Sequence, residues 1–300
     1  MRVNTNARRN RLAVAIVMAL TGIGLAGAPA GQAAEARLPD TGTSSRDLRR
    51  QAAATVPLER MPEADRRVAE ALLRSATLYR RLPVAAIECE TPLLEFVLTK
   101  PDALVDIWRV LDISRLTLDP TGPAQWRLAD GYGTVGTVRL IHQERQRGGG
   151  LLVFHGRGGY VGPFSARPLT GSCLLVVRYR SEPAGGCPRQ LVQLDAFLDV
   201  DGLGLEIVTK MLQPLIIYSA ASNLQEIAIF VSQFAAAAER NPAGVARLTQ
   251  RLSRTTPEDR RALAEAAGAV PIGVELTAAE DVQAELAARW MAPGEATTVR

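Results

Sequence analysis

The chain has 300 residues, 47% of them hydrophobic, with 35 Lys and Arg against 31 Asp and Glu. That length can bury a sizeable core in one large or two small domains. Four of the arginines, Arg2, Arg8, Arg9 and Arg11, precede an uncharged apolar run; setting them aside leaves 31 basic against 31 acidic residues, a neutral body that gives no electrostatic basis for nucleic-acid binding.

That first stretch has three parts: a basic start to Arg11, an apolar run from Leu12 to Leu25, and small-residue cleavage sites at Ala28-Pro29-Ala30 and Gly31-Gln32-Ala33. The pattern predicts a secretory signal peptide over 1–33, with the mature protein periplasmic or secreted and without a stable transmembrane segment. The run is short of the roughly 20 apolar residues of a membrane span. Residues 34–60, rich in Ala, Arg, Ser, Thr and Gly without sustained period, read as a flexible leader.

A ligand-binding domain is expected over 61–240. Pro62, Glu63 and Asp65 suit a helix start, and Val68, Leu72, Leu73 and Tyr79 carry its apolar stripe to about Arg81. Pro83 to Glu90 reads as a strand. Two short helices follow, one from Thr91 to Leu98 and one from Pro101 to Leu111. Strands are then expected over Ser114 to Asp119, Gln125 to Ala129, Gly133 to Glu144, Leu151 to Tyr160, Gly171 to Arg180 and Arg189 to Val200. The breaks between them are of hairpin length, so neighbours should be antiparallel.

The longest element follows, a helix predicted from Leu203 to Arg240. It is apolar on more than one side, so it must be covered by more than one neighbour or border an apolar space. Pro214 removes a backbone bond and should bend its axis. Residues 241–300 read as a helical appendage, with starts at Asn241-Pro242, at Thr256-Pro257 and at the capping box Thr277 to Glu280.

The fold class expected is therefore α+β, a curved antiparallel sheet gripped by a long helix with flanking N- and C-terminal helices. The succession Pro83 to Glu90, Thr91 to Leu111, the meander from Ile113 to Val200 and the helix to Arg240 resembles the START-like helix-grip superfamily, which includes polyketide cyclases and small ligand-binding allergens. The resemblance rests on element order and covers about Pro83 to Arg240. It implies an apolar ligand held between helix and sheet.

Candidate chemistry is sparse. Gly156-Arg157-Gly158-Gly159-Tyr160-Val161-Gly162 looks like a phosphate loop, but the flanking elements read as strands, which favours a bulge or bend. His142 and His155 lack a hydrolase motif. The two histidines with Glu144 could ligate a metal, since His142 and Glu144 share a strand face, but polar alternation on a solvated strand face explains the same residues. Asp195 and Asp199 are assigned to a polar strand face, and Asp201 to capping the long helix. No catalytic residue, metal site or cofactor is assigned. Cys89, Cys173 and Cys187 are odd in number, and a bridge between Cys173 and Cys187 is awkward.

A cavity between sheet and helix would be lined by Leu212, Ile216, Tyr218, Leu224 and Ile227, with Tyr218, Arg139, Arg178 and Asp195 as candidates to orient the ligand. The same apolar side chains would equally serve an ordinary core. The expected function is reversible binding or carriage of a lipid or other hydrophobic small molecule. Two alternatives stand beside it: an envelope interaction or scaffold protein that takes a protein partner through the C-terminal helices, and a cyclase-like enzyme.

Overall fold

A computed structural model describes residues 42–161, 169–201 and 213–269, the last of these with side chains from 220 onward. In chain order the elements are α1 (Arg46–Ala54), a 3-10 turn (Leu58–Arg60), α2 (Glu63–Ser75), β1 (Leu78–Arg81), β2 (Ala85–Glu88), α3 (Thr91–Thr99) and α4 (Pro101–Val110). The meander follows as β3 (Thr117–Gly122), β4 (Gln125–Ala129), β5 (Thr134–Gln146), β6 (Gly149–Tyr160), β7 (Leu169–Glu182) and β8 (Arg189–Val200). The last described elements are α5 (Gln213–Arg240), α6 (Pro242–Gln250) and α7 (Pro257–Ala266). The fold is α+β. No helix among the described residues is long and apolar enough to cross a membrane.

The sheet is antiparallel throughout, in the order β1-β8-β7-β6-β5-β4-β3, with β2 also paired to β8. β1 and β2 lie end to end along β8: Leu78 to Arg81 pair with Leu198 to Asp195, and Ala85 to Glu88 with Val192 to Arg189. Pro83, which cannot donate to a ladder, stands in the gap between them. β6 and β7 pair without a register shift from Gly149–Arg180 to Tyr160–Leu169. The glycine run in β6 is therefore plain paired strand, and the irregularity falls instead in β5, between Leu140 and His142.

Both faces of the sheet centre are apolar. In β7, Cys173, Leu175, Val177 and Tyr179 enter one core, and Leu174 and Val176, pointing the other way, enter a second. Strands apolar on both faces need a cover on each side. The first core is closed by α3, α4, α5, α6 and α7, through Leu93, Leu94, Ile107, Trp108, Phe230, Phe234, Leu248 and Leu263 among others. The second is closed by α1 and α2, through Ala52, Met61, Ala69 and Leu72.

This second layer revises the reading of the N-terminal segment. Residues 46–60, within the expected leader, form α1 and the 3-10 turn, with Ala52 and Val56 buried against the outer face of the sheet. The helix expected to reach Arg81 ends at Ser75, and Leu78 to Arg81 are strand because β8 offers them a ladder and Tyr79 a buried hydroxyl partner. Residues 203–212, on the N-terminal side of the bend expected at Pro214, lie outside the described residues, as do the signal peptide and the helix expected over Asp281 to Met291.

The C-terminal helices are built into the body. Val245, Leu248, Leu252, Leu263, Ala264 and Ala269 all belong to the first core. Asp106 on α4, buried, accepts from the backbone N–H of Arg254 at 2.9 Å, from that of Thr255 at 3.1 Å and from the Thr255 hydroxyl at 3.0 Å, tying the α6–α7 connection down.

Candidate functional site

The face of the sheet under α5 carries the features of interest. Pairing aligns Gly136 of β5 with Gly158 of β6 and Gly158 with Gly171 of β7, and all three are buried. One row along, Val138 and Cys173 flank Gly156. Cross-strand partners share a face, and Cys173 belongs to the core under α5, so these glycines present backbone where neighbouring rows present Leu152, Phe154, Leu175 and Val177. At Gly171 a Cβ would lie 2.2 Å from the Asp199 carbonyl oxygen, so β8 passes close and no other residue fits.

At the far end of this face the helices are pinned by polar contacts. Tyr179 donates to Glu95 of α3 at 2.6 Å, and Arg145 pairs with the other Glu95 oxygen at 3.2 Å. Burial raises the Tyr179 hydroxyl well above its ordinary value, and the Glu95 contact adds to this. Trp126 Nε1 donates to Asp102 of α4 at 2.7 Å; burial raises the Asp102 carboxyl, and that hydrogen bond opposes the rise. The α5 end is held by Ser232 Oγ, which accepts from the Glu88 backbone N–H at 2.9 Å.

The residues expected to line one cavity divide between the two faces. Leu224 and Ile227 pack, partly buried, against the core under α5. Leu212 and the side chains of Ile216 and Tyr218 lie outside the described residues. Arg139, Arg178 and Asp195 face the opposite way, toward α1 and α2. Arg139 pairs with Asp65 of α2. Asp195 is no residue of a solvated strand face: it is 0% exposed and accepts from Tyr79 Oη at 2.5 Å, from Arg81 Nε at 2.8 Å and from Arg178. These three therefore hold the N-terminal layer, and a ligand lying between sheet and α5 does not meet them.

His142 and His155 also point to that outer side. His142 Nε2 lies 2.9 Å from Glu144 Oε1, and Glu144 pairs with Arg60 at 3.0 Å, which lowers its carboxyl pKa, the His142 contact being the larger cause. His155 is lowered to about 4 by burial, with Arg139 and Arg157 adding to it. Among the described residues no group of three or more His, Cys, Asp and Glu side chains is placed to hold a metal. Asp199 accepts from Ser75 Oγ at 2.7 Å, and Asp201 accepts from Thr170 Oγ1 at 3.1 Å. The cysteines are free thiols, with Cys89 and Cys173 buried.

Sequence reading missed two polar residues on α5. Asn223 is 3% exposed and, among the described residues, its Nδ2 has no hydrogen-bond partner; Glu226 Oε2, one turn on, is likewise buried and unpaired there. Burial raises the Glu226 carboxyl pKa. Both interrupt the apolar stripe of Ala220, Leu224, Ile227 and Phe230, and that interruption is the signal the sequence offered.

No family model matches the chain, and no curated protein matches it either. Among solved structures, a conserved protein from Geobacillus kaustophilus is 14% identical, over 51% of this chain and 95% of that one, with a TM-score of 0.30. Ara h 8.0201 is 10% identical, over 50% of this chain and 99% of that one, at 0.27. The di-domain ARO/CYC BexL from the BE-7585A biosynthetic pathway is 12% identical, over 55% of this chain and 56% of that one, at 0.23. Likenesses at these TM-scores carry no argument about this chain.

Proposed function

We propose that this is an exported, soluble protein of START-like type that reversibly holds a lipid or other hydrophobic small molecule between the sheet and the long helix, without covalent chemistry. The observation that supports it best is the cross-strand pair Gly136 and Gly158, with Gly156 beside it; Gly171 next to them is required instead by the close approach of the β8 backbone. Glycine weakens a strand interior and contributes no packing, so its use at neighbouring positions on one face fits the close approach of something other than a side chain. The polar groups on α5 fit the same reading, since an apolar site needs only a few to orient its ligand.

The histidines and Asp195 lend the enzyme alternative no support, since His142, His155 and Asp195 all lie on the face away from α5. The docking alternative is disfavoured for residues 242–269, whose apolar side chains are spent on the protein's own core.

Native mass spectrometry with solvent extraction, together with titration by a neutral hydrophobic fluorophore, tests the reading. A copurifying lipid or saturable one-site binding is expected, weakened by Gly158→Val, which places a β-branched side chain on that face. Absence of both an extracted lipid and any saturable binding sinks the proposal.

A further inference from the structure

We propose that the bound molecule carries a neutral hydrogen-bond acceptor, the carbonyl of a ketone, ester or amide, seated against Asn223 and Glu226 on α5. This rests on the hydrophobic-ligand reading above and names the chemical class that site takes.

The argument starts from the surroundings of Asn223. Residues 220, 224, 227, 228, 230 and 231 of α5 are Ala, Leu, Ile, Ala, Phe and Val, all packed into or against the core. An amide amid them that donates to nothing is a local conflict, because a buried donor without a partner loses its hydration with no return. Such conflicts in an otherwise consistent element are expected where a ligand completes the hydrogen bond. Glu226 follows at i+3, and side chains at that spacing are neighbours about 5–6 Å apart at Cβ. Its Oε2, also on α5, is a second buried atom without a partner among the described residues. A third, Trp108 Nε1, is one further turn along: the Trp108 ring meets Phe230 edge-on at 5.8 Å between centroids, and Phe230 is four residues beyond Glu226.

The polarity of these atoms selects the ligand. Asn223 Nδ2 and Trp108 Nε1 can only donate. Burial also raises the pKa of the Glu226 carboxyl beside them, so this end of the site is a poor place for added negative charge. Donors of this kind call for an acceptor. An anionic head would bring negative charge beside the Glu226 carboxyl, and a cationic head would meet the N–H of Asn223. A neutral carbonyl satisfies the donors Asn223 Nδ2 and Trp108 Nε1 without adding charge beside Glu226.

Competition against bound N-phenyl-1-naphthylamine by 2-dodecanone, dodecane and dodecanoate, on the purified full chain, tests this. 2-Dodecanone is expected to compete about ten-fold better than dodecane, the worth of one or two buried hydrogen bonds. Asn223→Leu is expected to abolish the ketone's advantage over dodecane; it removes an unpaired polar group, and circular dichroism checks that the variant is folded. Glu226→Gln, which removes the carboxyl's charge and leaves Asn223 in place, is expected to keep the ketone preference. The inference is overturned if wild-type protein takes dodecane as well as the ketone, if dodecanoate competes best, or if Asn223→Leu keeps the ketone preference, as it would were Nδ2 bound only to a buried water. In each of those cases the hydrophobic-ligand reading survives. If the fluorophore itself shows no saturable binding, that reading and this inference fall together.

Discussion

Arg81 donates to Asp195 through Nε at 2.8 Å on the face of the sheet turned away from the long helix. The pair ties β1 to β8, and Arg178 and Tyr79 converge on the same carboxylate. Arg81 reaches Gln51 and Arg178 reaches Thr55, so the cluster also anchors the end of α1. Removing the carboxylate leaves two half-buried guanidinium groups without their acceptor, the costly way to break a buried pair. Asp195→Ala is expected to lower unfolding free energy by about 3–5 kcal/mol in urea titration. Asp195→Asn, which retains an acceptor oxygen, should cost less, and binding of a hydrophobic fluorophore at 20 °C below the melting midpoint should persist in both. A variant as stable as wild type would show that the cluster does not hold the N-terminal layer.

His155 gives stability an acid limb. Burial lowers its imidazole to about 4 from an ordinary value near 6.5. As pH falls, the unfolded chain binds the proton first, so stability rises with pH across this interval: it is complete above about 6.5 and is lost as pH falls toward about 4. The upper bound by linkage is about 3 kcal/mol. His155→Gln is expected to flatten the difference in urea midpoint between pH 7 and pH 4.5 by a measurable share of that. An identical pH slope in the variant would rule His155 out as its source.

The meander was legible because its strands alternate and its breaks are of hairpin length; β8 begins and ends where the alternation of Arg189 to Val200 does. Which face each polar residue takes was less legible. In β7, Leu174 and Val176 are as apolar as Leu175 and Val177, so alternation alone does not say which set lies under the helix, and Arg178 was assigned to the wrong side of that choice. The doubly apolar strand did carry a usable signal, since it demands a second cover, and α1 and α2 supply it. The start of α2 was legible at Pro62 and Glu63, but α1 was hidden in an Ala- and Arg-rich stretch whose apolar side is Ala52 and Ala53, followed by Val56. β1 was hidden for a different reason: Leu78 to Arg81 continue the helical stripe of α2, and only the long-range ladder with β8 makes them strand. Asn223 and Glu226 were visible as polar interruptions, but their lack of partners is a property of the packed state.

The cysteines should differ sharply in reactivity. Burial raises the thiols of Cys89 and Cys173 to about 12, whereas Cys187 is partly exposed in the turn before β8 and is raised less, again by burial. At pH 8 a thiol of pKa 12 is thiolate in only about one molecule in ten thousand, and the thiolate is the reactive species. Alkylation by iodoacetamide followed by peptide mass spectrometry is expected to modify Cys187 first, with Cys89 and Cys173 modified only as the protein unfolds. Early modification of Cys173 would show that the face under α5 opens to solvent at that point.

The C-terminal helices are the place where a docking arm and a structural element predict opposite results. Leu248, Leu252 and Leu263 are each at most 1% exposed, and burying a leucine is worth roughly 2 kcal/mol. Together they contribute about 6 kcal/mol, comparable to the whole of a typical domain's stability. Truncation after Arg240 is therefore expected to yield an unfolded or insoluble chain by far-ultraviolet circular dichroism and gel filtration. Asp106→Ala separates the clip from the packing: it leaves the N–H groups of Arg254 and Thr255 without their acceptor while the leucines stay in place. Its expected cost is about 2–4 kcal/mol, with limited proteolysis moving to residues 251–256 before any other site. A soluble, natively folded truncation product that has lost a partner in pull-down would reverse the assignment and restore the docking reading for these helices.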